Sequence, residues 1–339
     1  MRILYGAGNR IGANSQLSRF VQAAGHQHEI KKAAYLQSSH SLTHIDWTLD
    51  ALHHNVVASK HSPSLQKLFG HTGVPLVNVY SVNTLLRDVE IFSPDLIISD
   101  GEPISAHIAK SLKIKLWYCS PIHLLDGVQW EAGQLRYTSL LNRMRGFISK
   151  LPEADRVFVY SPFGDIKFRP VLNASYEWLT PYYVDATHGC NECVAIVNDY
   201  NRFSYLSKIL NGSSQTITLF SPFKEEFSNM ETHLITKLNT YLDALSRSVS
   251  IFTTGETSYV SDAFYAGHNI CISPTLNDVE SLLNAIMVKE YKLGTDVHQV
   301  ELMDQFAFDE IEEGLAKNPR TDYLSSQKRS LLHEELCNI

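Results

Sequence analysis

The sequence predicts an α/β protein made of two doubly wound, Rossmann-like domains, each a parallel sheet covered by helices on both faces. Three observations lead there. Short apolar runs alternate with amphipathic helix patterns along most of the 339 residues, the pattern of parallel strands joined by helical crossovers. The alternation breaks once, across "LTPYYVDATHGCNEC" (179–193), and then restarts, so that stretch reads as a linker. The length also suffices for two cores of ordinary size.

In order, "RILYG" (2–6) reads as the first strand. A turn follows, then a helix with Leu17, Phe20, Val21 and Ala24 on one face and Gly25 as its stop. "EIKKAAYL" (29–36) and "VPLVNVY" (74–80) read as further strands. The clearest unit is "DLIISD" (95–100), a helix through "PISAHIAKSL" (103–112) and "KLWYCS" (115–120), and "RVFVYS" (156–161) closes this half. The second half begins with "CVAIV" (193–197), a helix in "NRFSYLSKIL" (201–210) and "QTITLF" (215–220). A helix around 233–246, "VSIF" (249–252), a turn and helix from 254, "NICIS" (269–273) and a helix from Asn277 come next. The expected domains are 1–180 and 188–320. The C-terminal residues read as two helices split at Asn318-Pro319, the last (322–339) packing back on the first domain.

Composition narrows the class. Apolar residues at 44% and charged residues at 19% describe a soluble globular chain. No run of about 18 apolar residues predicts a transmembrane segment. "MRILYGAGNR" passes from Met straight into a strand without a signal-peptide layout, and five cysteines fit a reduced, cytoplasmic compartment. The net charge of −7 exerts no global pull toward nucleic acid, although it leaves room for a local basic groove. His188, Cys190 and Cys193 in "HGCNEC" lack a second ligand pair, so no metal is expected.

Ligands of such sheets sit beyond the carboxyl ends of the strands, so the turns after strands hold the candidates. In "YGAGNRIGANSQLSR", Gly6, Gly8 and Gly12 either permit a tight turn or form a ligand loop, and their spacing is not G-x-G-x-x-G. Asn14 is a good helix N-cap. In "ISDGEPISAH", Asp100 and Glu102 stand before Pro103, so one of them is a general base or a cap of the helix that follows. His123, after the next strand, belongs to the same rim, in a catalytic or a structural role. In "SIFTTGETSYVSDAFYAGH" (250–268), Val260, Ala263, Phe264 and Gly267 form the packed face, with Ser258 and Asp262 on the opposite side. The N–H groups of this helix start suit a phosphate and Asp262 suits a ribose, whereas Glu256 repels a diphosphate or complements the helix dipole. In "SPTLNDVESLLNAI", Asn277 and Glu280 have capping-box spacing, and Asp278, Glu280 and Asn284 lie on or near one exposed flank.

Three segments together resemble a glycosyltransferase of the GT-B fold, in the group similar to MurG and its glycosyltransferase-related relatives. They are "MRILYGAGNRIGANSQLSR", "SPDLIISDGEPISAHIAKSLKIKLWYCSPIH" and "ALSRSVSIFTTGETSYVSDAFYAGHNICISPTLNDVESLLNA". The resemblance implies sugar transfer from a nucleotide-diphosphate donor such as a UDP-sugar, in a cleft between the domains and without a bound metal or cofactor. It implies that Gly255, Thr257 and Ser258 contact the diphosphate, and that Asp262 takes the place of the ribose-binding Glu. Glu280 and Asn284 stand at the sugar-contacting Glu and Asn, and Asp100 or Glu102 deprotonates the acceptor hydroxyl. This sequence has Asn14 where the group has a His in its first loop, Asp262 for the Glu, Ser281 for a Gln, and "GHN" (267–269) for Gly-Lys-Pro.

The function expected is an inverting glycosyltransferase, acting as monomer or dimer. A non-catalytic nucleotide-sugar-binding protein and a nucleotide-sugar epimerase on the same fold are the alternatives. The acceptor is open among a lipid-linked sugar, a glycan and a base of phage-type modified DNA. A membrane-facing patch would have to come from "SLLNRMRGFISK" (139–150), which reads equally as an ordinary packed helix.

Overall fold

The computed structural model describes residues 1–8, 13–35, 45–49, 79–128, 138–162, 173, 175–179, 192–223, 230–234, 238–275, 278–290 and 292–296. The chain divides into two compact units. The first is Met1–Gln129, Thr138–Tyr160 and Val171–Trp178, and the second is Trp130–Tyr137, Ser161–Pro170 and Leu179–Ile339.

The first unit holds β1 (Arg2–Gly6), β2 (Glu29–Tyr35), β3 (Trp47–Leu49), β4 (Leu96–Ser99), β5 (Lys115–Ser120), β6 (Arg156–Tyr160) and β7 (Glu177–Leu179), in the order β3-β2-β1-β4-β5-β6-β7. The second sheet contains β8 (Glu192–Ile196), β9 (Thr216–Ser221), β10 (Glu231–Leu234), β11 (Ser248–Thr253), β12 (Asn269–Ile272) and β13 (Gly294–Asp296), ordered β10-β9-β8-β11-β12-β13. Counted from its own first strand, each sheet reads 3-2-1-4-5-6, and the first adds β7 at its edge. Every pairing whose register is described is parallel. The order reverses between β1 and β4 and again between β8 and β11, and these are the switch points at which doubly wound sheets bind ligands.

The helices of the first unit are α1 (Ala13–Ala24), α2 (Val79–Phe92), α3 (Pro103–Leu112), the single turn α4 (Leu124–Gly127) and α5 (Thr138–Ile148). Those of the second are α6 (Tyr200–Asn211), α7 (Leu238–Arg247), α8 (Thr257–Tyr265) and α9 (Val279–Glu290). All four residues of β4 are buried, as expected of a strand covered on both faces. In α1 the periodic positions Leu17, Phe20 and Ala24 are fully buried, and Phe20 meets Tyr5 of β1 at 5.0 Å between ring centroids. In the second unit, Val194 and Ile196 of β8 alternate with Cys193, Ala195 and Val197, and the latter set joins Phe203, Leu206 and Leu210 of α6 in one core cluster.

Several sequence expectations are corrected. The apolar run at 74–80 was expected as a strand, but Val79 and Tyr80 open α2, and 74–78 lie outside the described residues. The helix expected around 233–246 is a strand followed by a helix. His233 lies in β10 and stacks on Phe220 of β9 at 5.4 Å, and α7 begins at Leu238. The pairing of β10 with β9 overrides the helical spacing there. In α5, Leu141 and Ile148 are buried and the Arg145 guanidinium donates to the Leu125 carbonyl at 2.9 Å, so the helix packs at these positions. The expected C-terminal helix at 322–339 lies outside the described residues, as do His188 and Cys190, while Cys193 is buried in β8. No helix among the described residues is long and apolar enough to cross a membrane.

Candidate active site

In the first unit, β4 runs into Asp100-Gly101-Glu102 and then α3. Glu102 is the N-cap of α3: its carboxylate accepts from the backbone N–H of Ile104 and, at 2.7 Å, from that of Ser105. Ser99 completes the turn, its hydroxyl accepting from the Glu102 N–H at 3.0 Å and donating to the Glu102 carbonyl at 2.7 Å. Both bonds are charge-assisted caps of the α3 N-terminus. Of the two roles open to Glu102 in the sequence, the cap is the one these contacts support.

Asp100 is fully buried at the switch point, its backbone N–H donating to the Gly6 carbonyl at the end of β1 at 2.9 Å. The Cys119 thiol on β5 is held above its ordinary pKa, first by burial and then by the Asp100 charge. His123 closes the 3-10 turn Pro121–His123 after β5 and is buried, 5.0 Å from the Tyr118 ring and 6.1 Å from that of Tyr176. The two turns touch. Gly101 has a φ of +67°, and a Cβ on it would lie 2.4 Å from Cδ1 of Ile122. Asp100 and His123 therefore stand on adjoining turns at the carboxyl ends of β4 and β5.

Of the first-loop glycines, Gly6 has a packing reason to be small. A Cβ at Gly6 would meet Ser105 Oγ at 2.4 Å and Glu102 Oε2 at 3.0 Å, so its small size lets the start of α3 lie on β1. Gly8 is buried just beyond β1, and Gly12 lies outside the described residues. Asn14 lies in the first turn of α1, one residue past its first.

The second unit places Thr254-Gly255-Glu256 at the equivalent position, after β11 and before α8. Gly255 has a φ of +105°, and a Cβ there would meet Ser281 of α9 at 2.5 Å from Oγ and 3.0 Å from Cα. The resembled group has Gln where this chain has Ser281, whose hydroxyl donates to the Thr254 carbonyl and accepts from the Thr275 N–H at 3.0 Å. Glu256 is the N-cap residue but makes no side-chain cap bond. Its carboxylate turns back instead, accepting from Thr253 Oγ1 at 3.0 Å and Thr254 Oγ1 at 2.7 Å. Burial raises its pKa against the lowering effect of those bonds, and the nearby Glu280 charge adds to the rise.

The start of α8 is held from α9. Glu280 Oε1 accepts from the Thr257 N–H at 2.8 Å, and Asn284 Nδ2 donates to the Gly255 carbonyl at 2.7 Å and to Thr257 Oγ1 at 3.1 Å. The exposed flank expected for Glu280 and Asn284 is corrected: both are fully buried because that side of α9 packs on the α8 turn. Glu280 accordingly caps the neighbouring helix. The local cap of α9 is Asp278, whose Oδ2 accepts from the Ser281 N–H at 3.3 Å. The polar side expected for α8 is also corrected, since every residue from Thr257 to Phe264 is buried. Asp262 accepts from the Tyr241 hydroxyl of α7 at 2.8 Å, inside a cluster in which Tyr241 meets Phe220 and Tyr259 edge-on. Ser258, second residue of α8, is fully buried, and its Oγ has no hydrogen-bond partner among the described residues. The same is true of Asn284 Oδ1.

The structure thus gathers Gly255, Thr257, Ser258, Glu280 and Asn284 at one turn, with Asp278 at the start of α9 and Asp262 one helical turn deeper. Sequence reasoning left out Tyr241 and the two threonine hydroxyls that hold Glu256. A signal for the turn was available: "SDGEP" and "TTGET" each place Gly-Glu just past a strand end, with one residue between. Among the described residues no group of three or more His, Cys, Asp or Glu is arranged to hold a metal.

Solved structures share this architecture. The spinosyn forosaminyltransferase SpnP is 16% identical with a TM-score of 0.58, over 93% of this chain and 89% of that one. The spinosyn rhamnosyltransferase SpnG, complexed with thymidine diphosphate, is 12% identical with a TM-score of 0.58, over 93% and 91%. The glycosyltransferase SsfS6 of Streptomyces sp. SF2575 is 13% identical with a TM-score of 0.56, over 94% and 97%. At these identities the likeness carries the fold alone, which is GT-B. No curated protein sequence matches the chain. The family model for Glycosyl transferase family 1 matches residues 1–311 and does not single out the MurG-like group that the motifs resemble. The chain belongs to Glycosyl transferase family 1 and is a glycosyltransferase.

Proposed function

We propose that the second unit binds the diphosphate of a nucleotide sugar at the start of α8, and that Asp100 of the first unit takes the proton from an acceptor hydroxyl. The freed oxygen then attacks the anomeric carbon, a new carbon–oxygen bond forms, and the bond to the diphosphate breaks on the opposite side. That geometry inverts the sugar's configuration and releases a nucleoside diphosphate. The positive end of the α8 dipole stabilises the leaving group as its charge develops.

The observation that carries this reading is Ser258: a fully buried hydroxyl at the second position of a nine-residue helix, without a partner among the described residues. Buried polar atoms are normally satisfied, and a phosphate oxygen is an acceptor of the right kind at a helix N-terminus. Asn284, whose amide nitrogen already holds the turn, supplies a second unsatisfied atom in Oδ1. The thymidine diphosphate of the SpnG complex is a nucleotide of the class proposed. Asp262 is assigned the ribose, Glu280 and Asn284 the sugar side of the donor, and His123 a place beside the acceptor. The nucleotide sugar is a co-substrate, and the acceptor is a hydroxyl of a small aglycone, a lipid-linked sugar, a glycan or a modified DNA base. The described cysteines, Cys119, Cys193 and Cys271, are buried thiols outside any disulfide, in keeping with a proposed cytoplasmic location.

The test is a panel of thymidine and uridine diphosphates and their sugars, followed by thermal shift and calorimetry. One nucleotide series is expected to stabilise the protein, with Ser258→Ala weakening it about tenfold, the worth of one hydrogen bond to a charged group. Asp100→Asn is expected to keep nucleotide binding and lose transfer to the acceptor. Absence of binding by every nucleoside diphosphate would overturn the proposal.

A further inference from the structure

The two Gly-Glu turns occupy the same place in the two sheets, yet their glutamates do different things. Glu102 folds forward and caps α3 through Ile104 and Ser105 N–H. Glu256 folds backward onto Thr253 and Thr254 and leaves α8 to be capped from α9 by Glu280. Glu256 is 1% exposed. The hydroxyls of Thr253 and Thr254 come from β11 and its turn, and the charged group that acts on it is another carboxylate, Glu280 of α9. Asp262 of α8 and Asp199 beyond β8 are the further buried acids on the elements around the turn. Among the described residues no Lys, Arg or His pairs with Glu256.

A diphosphate ester at this helix start would bring two negative charges beside two buried carboxylates in a medium of low dielectric. We infer that the turn takes up one proton when it binds a nucleotide sugar, with Glu256 as the group that carries it, so that this carboxylate gates donor affinity. This inference rests on the reading of α8 as the donor-phosphate site. In the free protein, the raised pKa of Glu256 places its titration above the ordinary carboxylate range. As a neutral acid it keeps an acceptor oxygen for the threonines and gains an O–H donor. As an anion it adds to the negative charge that a diphosphate must meet. The proton comes from solvent and returns there when the nucleotide leaves, so donor affinity is highest at low pH and falls as pH rises through the Glu256 titration. The limit for one coupled proton is about tenfold per pH unit.

The experiment is calorimetry of the full chain with UDP-glucose and TDP-glucose, whose diphosphate esters carry no group that titrates near neutrality. Each titration is run in two buffers of different ionisation enthalpy at several pH values. Wild type is expected to take up a fraction of a proton that grows as pH rises through the free-state Glu256 titration. Glu256→Gln, which keeps an acceptor for Thr253 and Thr254, is expected to take up none and to bind with an affinity independent of pH. Glu280→Gln serves as the second variant and is expected to keep proton uptake while shifting it to lower pH. Nucleotide binding without proton uptake in wild type, or uptake unchanged in Glu256→Gln, would overturn the inference and leave the donor site standing. Absence of binding by both probes at every pH would instead count against the donor site itself.

Discussion

The turn after β4 and the turn after β11 are built from nearly the same residues and reach opposite solutions. Both follow the fourth strand of a 3-2-1-4-5-6 sheet, both bend at a glycine of positive φ, and both put glutamate at the N-cap position. In the first, Glu102 satisfies the helix start from within the same segment. In the second, that work passes to α9, and Ser258 Oγ is left unsatisfied among the described residues. The difference begins with the residues next to Glu-102 and Glu-256 in the chain. Pro103 fixes the first position of α3 and has no N–H to satisfy, whereas Thr257 presents an N–H that Glu280 takes. Thr253 and Thr254 also offer Glu256 two hydroxyls, where the first turn has Ser99 and Asp100. The first turn is closed by its own segment, and the second is held from α9.

Substitution of the two glycines should separate the turns most. Gly255→Ala puts a methyl against the Ser281 Cα at a φ of +105°, outside the left-handed region that L-residues tolerate. A loss of about 3 kcal/mol in denaturant unfolding is expected from strain and overpacking. Gly101→Ala should cost about 1 kcal/mol, because its φ of +67° is left-handed helical and the Ile122 side-chain tip can move. Equal costs would show that the two turns are equally confined.

The caps come next. Glu102→Ala should destabilise the first unit by about 1–2 kcal/mol through the lost N-cap. Tyr241→Phe removes the hydroxyl that reaches Asp262 and should cost about 1 kcal/mol, with a larger effect on nucleotide affinity if Asp262 holds the ribose. The smallest effect is in pH. Glu256 has a folded-state pKa above its unfolded value, so the folded chain holds the extra proton and its contribution to stability falls as pH rises from the ordinary carboxylate range through the folded pKa. Denaturant midpoints of wild type and Glu256→Gln should therefore diverge as pH rises across that window, with the variant the more stable at neutral pH. Parallel curves would show that Glu256 is ionised without penalty.

Much of the fold was legible because β-rich apolar runs and helical spacing recur in alternation, and both switch-point turns were visible as polar Gly-containing stretches after strands. The short edge strand β10 was not, since Glu-Thr-His-Leu carries no alternation strong enough to compete with the helix pattern beside it. That residues around 255–258 and 280–284 belong together was legible in the sequence, and their burial was not. Ser258 and Asp262 look like an outward face in a helical projection, and nothing local to "TSYVSDAFY" reveals that α7 and α9 cover it. Glu280 gives the same lesson. Its spacing from Asn277 reads as a local capping box, while the partner it takes is 23 residues back in the chain.

The strand order of the first unit also bears on how the chain is made. The N-terminal strand β1 pairs on one side with β2, through Ile3 and Ile30, and on the other with β4, through Ile3 and Leu96. During synthesis the first pairing is available roughly sixty residues before the second, so one edge of this largely buried strand stands open on the ribosome while the intervening chain emerges. Fragments that end before β4 should therefore collect as insoluble aggregates, and those that extend through it should not.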